Sequence, residues 1–108
     1  MTRRENPQAA LELLILKSLS HESNHGFGIA QHIQATSSEL LRVEEGSLYP
    51  ALHRLEKHAY IRAEWQTTAA GRRARVYRLT PTGKRRLIQL EERWTSLAAG
   101  VRHVLESS

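Results

Sequence analysis

The 108-residue sequence contains no cysteine. That absence removes disulfides, thiolate zinc sites and cysteine nucleophiles together, and it suits a reducing compartment. Long apolar runs are missing as well. The basic N-terminal residues 1–7 are not followed by an apolar segment of signal-peptide length, and Leu13-Leu14-Ile15-Leu16 stops at Lys17. Nothing reads as a membrane span, so a soluble, cytoplasmic protein is expected. Six glycines and three prolines fall at punctuation points rather than in a linker, and no internal repeat or low-complexity tract is visible. The nucleophile elbow, the phosphate-binding glycine loop and the carboxylate pair are all absent, which argues against an enzyme. His21, His25 and His32 lack carboxylate or cysteine companions at ligand spacing, so neither metal nor cofactor is expected.

What is present suits one small globular domain with a terminal appendage. The chain is long enough for one core and too short for two. At 40% hydrophobic and 25% charged it lies in the ordinary globular range. The formal net charge of +5 is unevenly spread. From His53 to Arg86 there are ten lysines and arginines against Glu56 and Glu64, which makes that segment +8 and leaves −3 for the remainder. A field gathered in one half of a molecule is what a polyanionic partner requires.

Periodicity places the elements. Asn6-Pro7 is a good helix opening, with Leu11, Leu14, Ile15 and Leu19 recurring at helical spacing to about Ser20. A second helix is expected over 25–35, with His25 helping to start it and Phe27, Ala30 and Ile33 facing inward. Residues 36–45 read mostly as loop, with Leu40, Leu41 and Val43 as anchors or a short strand. A third helix over 47–58 places Leu48, Leu52, Leu55 and Ala59 on one arc, with Ser47 as N-cap and Pro50 in the first turn. Its opposite face carries Pro50, His53, Arg54 and Lys57. Ile61, Ala63 and Trp65 then alternate with polar residues. Residues 75–79 continue that pattern after a glycine-containing loop, so a hairpin is expected, with Trp65 and Tyr77 covering the core.

Thr80-Pro81 opens a last helix to Glu106. Leu87, Leu90, Trp94, Leu97, Val101 and Val104 are spaced 3, 4, 3, 4, 3, an a/d heptad seam. Such a helix spans about 39 Å, longer than so small a core can cover. Its stripe predicts a homodimer interface.

Three helices followed by a two-stranded hairpin make a winged helix-turn-helix, so the expected fold is mainly α with a small β-hairpin and a long C-terminal dimerisation helix. Residues 1–80 form the DNA-binding domain and 81–108 the dimerisation helix. A helix fits the major groove of duplex DNA, and a basic loop reaches the flanking backbone. On this reading His53, Arg54 and Lys57 are donors on the third helix. Arg72, Arg73 and Arg75 favour phosphates, because three arginines within four positions repel one another without an anion. The competing reading is a winged helix that binds protein or RNA, which acidic residues on the third helix and a neutral wing would favour.

Leu11-Glu12-Leu13-Leu14-Ile15-Leu16, His25-Gly26-Phe27-Gly28-Ile29, residues 45–56 (Glu-Gly-Ser-Leu-Tyr-Pro-Ala-Leu-His-Arg-Leu-Glu) and Tyr77-Arg78-Leu79-Thr80-Pro81-Thr82-Gly83 resemble the PadR family of transcriptional regulators over nearly the whole chain. The resemblance implies a winged helix, a C-terminal dimerisation helix and transcriptional repression, and a two-fold dimer presenting two third helices to successive major grooves predicts an inverted-repeat operator. It implies that Tyr49, within the block that also supplies Ser47 and Pro50, touches the DNA backbone. A single C-terminal helix is like the short branch of the family. Little chain is left to build a ligand pocket, and a small-molecule effector stays open as a partner beside duplex DNA and a second subunit.

Overall fold

The computed structural model describes residues 10–108, so the Asn6-Pro7 helix opening lies outside the described residues. Within them the order is α1 (Leu11–His21), β1 (Asn24–His25), α2 (Gly26–Thr36), α3 (Glu45–Lys57), β2 (Ile61–Thr67), β3 (Arg73–Leu79) and α4 (Pro81–Glu106). The core is built from Leu11, Ile15, Leu16 and Leu19 of α1, Ile29 and Ile33 of α2, and Leu48, Ala51, Leu52 and Leu55 of α3. Ile61, Tyr77 and Leu87 close it from the sheet and α4. Helix α3 contributes an i, i+3, i+4, i+7 set and α1 and α2 contribute residues three or four apart, the stripe by which an amphipathic helix buries one side.

The predicted inward set of α2 is corrected at Phe27, while Ile33 is buried and Ala30 packs against the core as expected. Ile29 and Ile33 are buried, whereas Phe27 is 60% exposed. Phe27 and Ile29 are about 200° apart on the helix, so only one can face the core. The spacings 27-30-33 and 29-33 both end on Ile33, and periodicity alone does not separate them. His25 does start the helix: its Nδ1 accepts a hydrogen bond from the Gly28 amide at 3.0 Å.

The start of α3 is also corrected. Glu44, not Ser47, is the N-cap, and no side chain caps the helix. The Ser47 and Leu48 amides both donate to the Glu44 carbonyl, at 3.0 and 2.9 Å. Pro50 is therefore the sixth residue of the helix rather than part of its first turn. It removes one intrahelical bond, from the exposed side where water can satisfy the freed carbonyl. At the other end, Tyr60 N donates to Leu55 O and Ala59 N to Glu56 O, both at 3.0 Å. This is a Schellman stop with Ala59, at φ +61°, in the left-handed position usually held by glycine.

The sheet has three strands where the sequence predicts two. β1 pairs antiparallel with β3 (Asn24 with Tyr77, His25 with Val76), giving the order β1-β3-β2. Two residues are too few to show a strand period. Between α2 and α3, Leu41 and Val43 pack on the core as anchors while Leu40 is exposed. Helix α4 begins where Thr80-Pro81 predicts. Thr80 Oγ1 accepts from the Gly83 amide at 3.0 Å and donates to the Ala59 carbonyl at 2.6 Å, which ties α4 to the end of α3. A Cβ on Gly83 would collide with the Tyr60 carbonyl oxygen, so this junction requires glycine.

Candidate nucleic-acid interface

Helix α3 turns Leu48, Ala51, Leu52 and Leu55 into the core. At about 100° per residue, the opposite side is centred on Gly46, Pro50, His53 and Lys57. Tyr49 and Glu56 flank that face on one side, Ser47 and Arg54 on the other. The two flanks have different neighbours. Tyr49 shares a groove with His25, Gly26 and Phe27 of α2's start and with Thr68, Arg72, Arg73, Ala74, Arg75 and Tyr77 of the wing. His53, Glu56 and Lys57 share a second concavity with Arg75. Together the two hollows form a channel floored by α3 and walled by the wing.

The wing is well built for its length. The Thr68 amide donates to the Arg72 carbonyl (2.7 Å), the Gly71 amide to the Thr68 carbonyl (2.9 Å), and the Arg72 amide to Thr68 Oγ1 (3.2 Å). Gly71, at φ +79°, makes the turn. Ile61, Ala63 and Trp65 lie opposite Leu79, Tyr77 and Arg75. This single face grades from core at the base to arginine at the tip. Trp65 therefore does not cover the core as the sequence reading expects, and is 60% exposed. It stands four residues beyond buried Ile61, about 13 Å along the strand. Arg73 lies over its ring at 5.0 Å, so the indole carries a cation instead. Tyr77 does reach the core. Burial pushes its phenol above the ordinary value, while the Arg75 guanidinium pulls the other way.

The channel brings together Tyr49, His53, Lys57, Arg72, Arg73 and Arg75, with exposed Pro50 at its α3 end and half-buried Ser47 one turn back. Arg54 is set apart. Its Nε lies 3.5 Å from Glu12 Oε1 on α1, and it lines a different hollow with Leu13, Leu90, Arg93, Trp94 and Leu97. Side chains missed by sequence reasoning also line the channel: His25 and Phe27 at the start of α2, Thr68 and Ala74 on the wing, and Glu56 on α3. An aromatic exposed beside basic residues was the available signal for Phe27, had its helix phase been readable.

The predicted seam on α4 divides in two. Leu87 is buried in the core and Leu90 packs against it, whereas Trp94, Leu97, Val101 and Val104 are exposed. Among the described residues no helix is long and apolar enough to cross a membrane.

The family model for the transcriptional regulator PadR-like family matches residues 15–89. A transcriptional regulator of Mycobacterium tuberculosis is 38% identical over 104 residues, covering 93% of this chain and 94% of its own length. Among solved structures, a transcriptional regulator from Clostridium thermocellum superposes with a TM-score of 0.81 at 29% identity, over 94% of this chain and 97% of that one. A PadR family transcriptional regulator from Eggerthella lenta does so at 0.80 and 28%, over 94% and 86%. The winged-helix architecture with its long last helix is thus shared with regulators of similar sequence, and this chain belongs to the PadR-like family of transcriptional regulators.

Proposed function

We propose that the protein binds duplex DNA sequence-specifically, as a homodimer at an inverted-repeat operator, and represses transcription in the cytoplasm. The observation that carries this reading is the channel between α3 and the wing, where Tyr49, His53, Lys57, Arg72 and Arg73 converge. Helix α3 enters the major groove and His53 and Lys57 meet base edges or nearby phosphates. Pro50 and Ser47 lead the helix in, Tyr49 touches the backbone, and Arg72 and Arg73 of the wing grip the flanking phosphates.

Dimerisation follows from the exposed end of the seam. Residues up to 80 form the DNA-binding unit, with Leu87 of α4 filling its core, and the rest of α4 carries a stripe that a second subunit covers. The hollow between α1 and α4, lined by Leu13, Leu90, Trp94 and Leu97, is the place for the partner's helix. Two-fold symmetry would set two α3 helices into successive major grooves roughly 34 Å apart.

Selection of bound duplexes from a random pool tests the reading. The expected product is an inverted repeat whose half-sites are about one helical turn apart. A pool that stays unenriched, or affinity unmoved by salt, would refute it, since phosphate-based binding weakens steeply as salt rises.

A further inference from the structure

The surface assigned to DNA carries a single acid. In residues 46–57 and 67–79, Glu56 is the only carboxylate among the arginines, lysine and histidine. Its Oε2 lies 2.5 Å from Arg75 Nη2. Arg75 is held on a second side as well, with its guanidinium over the ring of buried Tyr77 at 5.9 Å. The result is a bridge from α3 to β3, at the floor of the channel. Lys57, Arg72 and Arg73 make no ion pair among the described residues, and Arg78 pairs with Glu64 within the hairpin itself, so Arg75 is the wing arginine whose ion pair reaches α3.

A charge-assisted bond of this kind is stronger than a neutral one and fixes the orientation of both partners. Drawing Arg75 onto a phosphate would break it and leave an unpaired carboxylate facing a polyanion. The pair as a unit is neutral and releases no counterion. We propose that Glu56 is a positioning residue: it holds Arg75 as a strut between the recognition helix and the wing and withholds it from the phosphate backbone. This rests on the duplex-binding reading above. The strut sets the distance between the two elements that must dock together, while Arg72 and Arg73 at the tip stay available for phosphates.

The test measures affinity for a labelled 30-base-pair duplex of mixed sequence between 50 and 200 mM salt, for the full-length wild type, Glu56→Gln, and Glu56→Gln with Arg75→Gln. The Arg75 and Glu56 side chains are 45% and 30% exposed, so both variants keep the core. Freeing Arg75 in the single variant should steepen the slope of log affinity against log salt by about 0.9, about 3.5-fold across that range. The double variant, which has the same net charge as the wild type, should return to the wild-type slope. A double variant shallower by about 0.9 would place Arg75 on a phosphate in the wild type and overturn the proposal. A single variant with the wild-type slope would overturn it too, because the freed guanidinium then reaches no phosphate. A wild type indifferent to salt would instead refute the DNA-binding reading itself.

Discussion

Replacing Leu97 by Asp is the sharpest probe of the α4 seam. The heptad pattern alone would choose its middle, Leu90, but Leu90 packs against the protomer core, so a charge there would damage folding and assembly together. Leu97 is 60% exposed in the protomer and lines the hollow between α1 and α4. Burying a whole leucine side chain is worth roughly 1.5–3 kcal/mol, so covering the exposed part contributes about 1–2 kcal/mol. Two-fold symmetry places the residue in the interface twice, giving about 2–4 kcal/mol per dimer. A buried, unpaired aspartate adds a further penalty. At about 1.4 kcal/mol per tenfold, the dimer dissociation constant should rise roughly thirty- to a thousandfold. Sedimentation velocity across a dilution series reads that directly, and urea unfolding of the dilute variant checks that the protomer is intact. Operator affinity should fall with dimer content, since the two half-sites are no longer linked. A variant of unchanged mass, or a stable monomer that holds the operator as tightly as the wild type, would refute the assignment of the seam.

Arg73→Ala should flatten the salt slope by about one unit with little change in sequence preference, as binding to mixed and selected duplexes will show. His53→Ala should alter the selected bases, whereas Arg54→Ala, on the Glu12 side of α3, should leave them as they are; selection with each variant decides. Ala59→Gly should stabilise the fold by about 1 kcal/mol in urea titrations, because alanine is strained at φ +61° and glycine is not. Burial raises the Tyr77 phenol, so the folded chain keeps its proton after the unfolded chain has lost its own. Stability from this group is complete below about pH 10 and is lost as pH rises through the raised value. Urea titrations from pH 8 to 11 should therefore show a steeper alkaline loss for the wild type than for Tyr77→Phe.

The elements with strong local signals were legible in the sequence. Thr80-Pro81 marks the start of α4 because a hydroxyl cap and a proline at N1 need no tertiary help. The Leu48, Leu52 and Leu55 arc of α3 and the alternation of β2 likewise follow from local periods of 3.6 and 2. Ala59, which its spacing places on the same arc, instead lies past the end of the helix and is exposed. The basic wing and the family blocks carried the regulator reading, since charge distribution and motif order belong to the chain itself. Other features depended on what lies across space. Phe27 against Ile29 was decided by which side of α2 meets α1 and α3. The stop of α3 is set by backbone bonds around Ala59, with no glycine to announce it. Strand β1 exists only because β3 passes beside Asn24 and His25. The seam on α4 looks uniform in sequence, yet the core reaches only as far as Leu90, so its first half is protomer interior and its second half surface. The arginines differ in the same way. Arg54 and Arg75 meet Glu12 and Glu56, 42 and 19 residues away along the chain, while Arg73 lies over Trp65. Sequence reveals that a cation is present, and long-range contacts decide whether its charge is already answered within the fold.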